Sequence, residues 1–106
     1  MDKIITLQRY VRDGKIAVLY SPGYGSGWSS WNDDEYKDDL MHHPEFVKKV
    51  LENKQSELTE EFCQNVLGTT HYICTAGACD LEVEWMPMGS KYIIEEFDGS
   101  ESIEYC

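Results

Sequence analysis

His71, Cys74 and Cys79 fall within nine residues of one another, and Cys63 stands one helical length before them. Thiolate and imidazole are the ligands zinc prefers, but structural zinc sites present them as two close pairs. A Cys-x-x-x-x-Cys spacing with no second pair is a loose version of that pattern, and the His-x-Glu with Pro-Cys-x-x-Cys of zinc deaminases is absent. The cysteines are therefore read as ordinary thiols, with no metal and no cofactor expected. Cys63 or Cys74 could form a nucleophilic dyad with a histidine only if the fold unites them. His42 and His43 adjoin acidic residues and could act as acid or base near neutral pH, yet a histidine pair before Pro44 reads first as a solvated helix end. Glu95 and Glu96 are neighbours on an expected strand, so they point to opposite faces and cannot flank one bond. The expectation is a protein that is not an enzyme.

The most unusual chemistry sits between Ser21 and Asn32, Ser-Pro-Gly-Tyr-Gly-Ser-Gly-Trp-Ser-Ser-Trp-Asn, which holds three of the eight glycines and two of the three tryptophans. Gly23, Gly25 and Gly27 at alternate positions open backbone conformations closed to other residues. Pro22 fixes φ at the entry and holds Ser21 extended. Large aromatic groups in such a segment, Tyr24, Trp28 and Trp31, either fold back onto the sheet and pin the loop or form a recognition surface. The alternating glycines could offer N–H groups to a phosphate with Trp28 stacked on a base. They match neither the dinucleotide-binding Gly-x-Gly-x-x-Gly nor a P-loop, because no Gly-Lys-Ser/Thr follows.

Charge narrows the partner class. The 106 residues carry a formal net charge of −11, which excludes a surface that binds nucleic acid directly, since that affinity comes from Lys and Arg neutralising phosphates. It suits a partner with a basic surface. Asp33, Asp34, Glu35, Asp38 and Asp39 form one acidic run; Glu82 and Glu84 share one face of an expected strand; Glu95, Glu96, Asp98, Glu101 and Glu104 crowd the end. The alternative is a plain solvated surface. The opening Met-Asp-Lys is unlike a signal peptide and no run approaches the roughly 18 apolar residues of a membrane span. The expected location is therefore the cytoplasm, with the four cysteines reduced and no membrane partner; a homodimer stays open.

The elements that must position these groups follow from periodicity. Residues 3–11 alternate and end at Asp13-Gly14, a two-residue hairpin signal, and Lys15–Tyr20 reads as a buried return strand. Asn32 is the expected N-cap of a helix running to about Met41, with Asp33, Asp34 and Glu35 in its first turn. Pro44 opens a second helix with Phe46, Val47, Val50 and Leu51 on one face. A third runs from Ser56 to Leu67, with Ser56 or Thr59 as cap and Gly68 at its end. Residues 69–73 have β-type composition. Leu81, Val83 and Trp85 alternate with Asp80, Glu82 and Glu84, Tyr92–Phe97 is the next strand, and Asp98-Gly99 turns into a short strand from Ser102 to Tyr105. This order predicts one α+β domain: an antiparallel sheet of the N-terminal hairpin plus C-terminal strands, with two or three helices packed on one face.

The Ser21–Asn32 stretch, together with Ile93-Ile94-Glu95-Glu96-Phe97-Asp98-Gly99-Ser100-Glu101-Ser102-Ile103, resembles a family of small uncharacterised proteins of tailed phages and prophages. The likeness covers about a third of the chain, and no catalytic residue carries over from it. It implies a context, because small accessory phage proteins of this kind bind and inhibit host proteins, defence nucleases among them. The resulting expectation is an acidic accessory protein acting in the host cytoplasm as an anti-defence or anti-CRISPR-like inhibitor. It would occupy the nucleic-acid groove of a host enzyme through Tyr24, Trp28, Trp31, Asp33, Asp34, Glu35, Asp38, Glu82 and Glu84. The rival expectation is a protein that sequesters a nucleotide signal with Gly23, Gly25, Gly27 and Trp28.

Overall fold

Asp13-Gly14 and Asp98-Gly99 close two hairpins in the same way. Both residues of each pair lie in the left-handed region, with φ of 54° and 76° in the first and 52° and 84° in the second. That is the backbone of a two-residue turn whose twist matches the flanking strands, and glycine enters it without a Cβ clash. The computed structural model describes residues 10–23 and 27–105. Within them the strands are β1 (Val11–Arg12), β2 (Lys15–Tyr20), β3 (Glu82–Pro87), β4 (Tyr92–Phe97) and β5 (Ser100–Tyr105). The helices are α1 (Asp34–His42), α2 (Pro44–Leu51) and α3 (Glu60–Leu67). Most of the expected first strand, residues 3–9, lies outside the described residues.

The α+β class and the antiparallel pairing stand as expected, and the strands divide between two sheets. β1, β2 and β3 form one, and β4 and β5 form a separate ribbon. In the first sheet Ala17 faces Trp85 and Leu19 faces Val83, while Ile16 faces Met86, Val18 faces Glu84 and Tyr20 faces Glu82. Residues opposite one another share a face, so each face of β2 is assigned. The Ala17–Leu19 face joins the larger core, which collects Leu40 of α1, Phe46 and Val47 of α2, Cys63 of α3, and Trp28 from the loop. The other face carries Ile16, Val18 and Met86, buried with Met41 and packed by Tyr92, Ile94 and Ile103 of the ribbon. A near-continuous apolar β2 is thus explained, because both of its faces are covered.

Local chemistry sets the helix ends. Pro44 occupies the first turn of α2, and His43 caps it by accepting from the Glu45 N–H through Nδ1. Thr59 caps α3 with Oγ1 accepting from Phe62 N–H at 3.2 Å, and Gly68 ends it at φ 70°. Ser56 falls in a separate 3-10 turn, Gln55–Glu57, so α3 starts four residues later than expected. Asp33, not Asn32, precedes α1, and no side chain caps it; Asn32 is occupied elsewhere. Residues 69–73 form no strand.

Candidate functional site

Glu101 is the group around which the loop is built. On a hairpin ribbon its side chain would ordinarily face solvent, yet it is 1% exposed. Four donors converge on the carboxylate. Ser21 N–H donates to Oε1 at 2.9 Å, and Trp28 N–H and Ser30 N–H donate to Oε2 at 2.7 and 3.0 Å, joined by the Ser30 hydroxyl. Burying a carboxylate is costly unless such bonds replace its hydration, and charge-assisted N–H bonds are the strong kind. The Glu101 N–H also donates to Ser21 O at 2.7 Å, and the Ser100 hydroxyl to Pro22 O at 2.8 Å. The loop and the ribbon, about eighty residues apart in the chain, are therefore one clasped unit.

The described residues 27–32 of the loop are held by packing and by further hydrogen bonds. Trp28 is fully buried, its indole N–H donates to Leu40 O at 2.7 Å, and its ring meets Phe46 edge-on at 6.0 Å. That bond satisfies a carbonyl in the last turn of α1, where helical partners run out. Asn32 works as a piece of strand: its Oδ1 accepts from Cys74 N–H at 2.8 Å, and its Nδ2 donates to Cys74 O at 3.1 Å and Trp28 O at 2.8 Å. Gly27 lies under the Trp31 ring, where a Cβ would come within 2.5 Å of Cδ1, and its carbonyl accepts from Gly77 N–H. A Cβ on Gly23 would meet the Asp80 carboxylate at 2.5 Å.

These placements correct several expectations. Trp28 cannot stack on a base or touch a partner, because the core encloses it. Gly27 is likewise buried, so the phosphate-cradle reading loses two of its four residues. Gly23 lies against the Asp80 side chain, and a neighbouring carboxylate opposes a phosphate. Tyr24 and Gly25 lie outside the described residues. Glu101 leaves the acidic surface altogether. His42, expected in solvent, is 2% exposed, with Nδ1 against Asp38 O at 3.0 Å and Nε2 against the Tyr92 hydroxyl.

Of the remaining residues, Asp33, Asp34, Glu35 and Asp38 are exposed on and just before α1. Asp34 pairs with Lys37 at 2.9 Å, a surface contact of little energetic weight. Asp39 is held above the usual carboxylate range by burial, with Asp38 adding and His43 opposing. Trp31, two residues before Asp33, is 41% exposed and donates through its indole N–H to Glu96 Oε2 at 3.2 Å. That carboxylate also accepts from Gly99 N–H; this backbone bond first, and Trp31 second, keep Glu96 below its ordinary pKa. Trp31 thus bridges the acidic start of α1 and the ribbon, where Phe97 is 70% exposed.

Glu82 and Glu84 are exposed on the second face of the first sheet. The expected ladder of negative charge ends there, because Ile16, Val18 and Met86 fill the remainder of that face beneath the ribbon. The Tyr20 hydroxyl donates to Glu82 at 3.3 Å, and burial, then the Glu82 charge, pushes Tyr20 above its ordinary pKa. Glu84 lines a groove of about 290 Å³ with Tyr20, Met86, Ser102 and Ile103.

Cys63 is buried in the larger core, and burial, helped by the Glu60 charge, pushes its thiol up to about 12. Such a thiol is a poor nucleophile. Among the described residues no three His, Cys, Asp or Glu side chains gather as metal ligands, and no helix is long and apolar enough to cross a membrane. Comparison with protein families, with curated proteins and with solved structures finds no match for this chain.

Sequence reasoning missed Glu101, counting it among the surface carboxylates. The one available signal was the run of small polar residues on both sides, Ser21, Ser29 and Ser30 against Ser100 and Ser102.

Proposed function

We propose that the chain is a non-enzymatic accessory protein that binds a protein partner with a basic surface, using the carboxylates of Asp33, Asp34, Glu35 and Asp38 around Trp31. The observation that carries this is Trp31 itself: a half-exposed tryptophan, held in place by Glu96 and Gly27 and two residues before the exposed acidic run that opens at Asp33. Aromatic anchors of this kind contribute large area at low entropic cost to interfaces. The clasp on Glu101 supports the reading, since it anchors the backbone that presents Trp31 before any partner arrives. The −11 net charge favours association with a basic groove. The likeness of the loop and ribbon motifs to phage accessory proteins supports a host nucleic-acid-processing enzyme, a defence nuclease in the sharpest form, as the inhibited partner.

The test is affinity capture from host lysate at low and high salt, followed by binding of the captured enzyme to charge-reversed protein. Salt-weakened binding of a nucleic-acid-processing enzyme, lost when Asp33, Asp34 and Asp38 become lysines, is the expected result. Unchanged affinity in that variant refutes the electrostatic reading.

A further inference from the structure

The register of the ribbon determines which backbone groups lie on the outer edge of β4. Asp98-Gly99 is a two-residue turn closed by Phe97 opposite Ser100, and the pair flanking such a turn exchanges hydrogen bonds. Pairing alternates from there: Glu95 opposite Ser102 is bonded, while Ile94 opposite Ile103 and Glu96 opposite Glu101 are not. The N–H and C=O groups of Ile94 and Glu96 therefore point away from β5. The same alternation sends the Glu101 N–H outward on β5, where it is found on Ser21 O. Among the described residues β4 pairs only with β5, and the outward backbone groups of Ile94 and Glu96 have no hydrogen-bond partner there.

Beside this edge runs a groove of about 290 Å³. One wall is Lys37, Asp38 and Met41, successive positions on one face of α1, and the other is Ile93 and Ile94 of β4. A helix facing a free strand edge across a groove is the setting in which an extended segment is added as a further strand, its main chain supplying the bonds and its alternate side chains the specificity. Ile93 and Phe97, 50% and 70% exposed on one face of β4, offer apolar contacts to such a strand.

We infer that β4 receives an extended, basic segment of a protein partner as an added strand in the α1–β4 groove; the inference rests on the reading of the chain as an acidic protein binder. Charge decides the occupant. Asp38 lines the seat from the helix, where the neighbouring Lys37 is already paired with Asp34, and Glu95 and Glu96 are exposed on the strand that forms the other wall, so lysine or arginine side chains of an added strand meet an excess of carboxylates. A second copy of this chain pairing through its own β4 would set Glu95 and Glu96 against their equivalents, and like charges across a strand pair are destabilising.

The test uses the full chain and a capped (Lys-Val)4 peptide at low salt, read by amide hydrogen exchange in NMR. In the free protein the Ile94 and Glu96 amides exchange fast while those of Glu95 and Phe97 are protected. Saturating peptide should slow Ile94 and Glu96 at least tenfold. A peptide N-methylated at two adjacent central residues, which blocks both of its edges, should bind at least tenfold more weakly, and (Glu-Val)4 should not bind. Peptide binding that leaves Ile94 and Glu96 unprotected, or that tolerates N-methylation, overturns the added strand while leaving an acidic binding surface intact. Absence of (Lys-Val)4 binding overturns it too, and the wider reading is then judged separately by the charge-reversed variants. Protection of the same amides without peptide, rising with protein concentration alongside a dimer in sedimentation, would identify a second copy as the occupant and also overturn it.

Discussion

Replacing Glu101 by alanine should bring this protein close to unfolding. The carboxylate is 1% exposed and accepts from three backbone N–H groups, those of Ser21, Trp28 and Ser30. A serine hydroxyl can rotate to a new acceptor, but the three amides are fixed by the loop. A buried donor left without its acceptor costs about 1–3 kcal/mol, and water entering the vacated space recovers a part of that. The sum for Glu101→Ala is about 3–6 kcal/mol, against a total of roughly 5–15 kcal/mol for a domain of ordinary stability. Urea denaturation followed by tryptophan fluorescence measures it directly, because the buried Trp28 sits on the clasp. With a slope near the low end of the usual ~1–3 kcal/mol/M, the midpoint should fall by at least about 2 M. Glu101→Gln makes the reasoning sharper. Oε2 receives three donors and Oε1 one, so the amide can keep its oxygen at the crowded position and must then aim its NH2 at the Ser21 N–H. Its loss should be about 1–3 kcal/mol, smaller than that of alanine. Glu104→Ala, on the solvent side of the same strand, should stay within about 0.5 kcal/mol. A Glu101→Ala loss below about 1 kcal/mol, or one no larger than for Glu104→Ala, would refute the claim that the carboxylate holds the loop.

Four further outcomes follow from the structure. Gly77→Ala would place a Cβ 2.7 Å from Gly27 O and 2.8 Å from Ser21 Oγ, and should cost about 1–3 kcal/mol, read as a fall in Tm of at least about 4 °C. Cys63, with its thiol pushed from 9.0 up to about 12 by burial, should resist alkylation at pH 8 in the folded protein while the exposed Cys79 reacts; equal labelling rates would contradict the placement. The neutral Cys63 thiol is the form the fold favours, so its contribution to stability is complete below pH 9, where the unfolded thiol begins to ionise. It is lost as the pH rises toward 12, which denaturation midpoints across that range would record. Trp31→Ala should change stability by less than about 1 kcal/mol, since Trp31 is 41% exposed, yet weaken partner binding at least tenfold in a titration; retained affinity would remove it from the proposed interface.

How much could be read from the chain alone depended on how local the physics is. The Asp13-Gly14 and Asp98-Gly99 hairpins, the apolar strand Lys15–Tyr20, Pro44 opening α2, and Thr59 and Gly68 bounding α3 each rest on conformational preferences of a few adjacent residues. All were legible. The α+β class followed from their order, and so did the opposite faces of Glu95 and Glu96. The long-range pairing of the first hairpin with a C-terminal strand was legible too; what failed were side-chain assignments that depended on a partner far away in sequence. Trp28 was a recognition candidate until Leu40 and Phe46 enclosed it; His42 was a solvated histidine until the Tyr92 hydroxyl reached it. Asn32 was a helix cap until the Cys74 backbone took its side chain.

Glu101 shows the reason most plainly. A carboxylate in a sequence is assigned to the surface because burial strips its hydration at high cost. Only a convergence of donors reverses that preference, and here three of the four are backbone N–H groups about seventy to eighty residues distant, which every residue type but proline carries and no residue letter reveals. The sequence by itself therefore determined the turns, the strand and helix segments and the sign of the surface charge. The tertiary structure alone decided which carboxylate became the centre of the loop, which tryptophan remained outside, and which backbone groups of β4 face away from its partner strand.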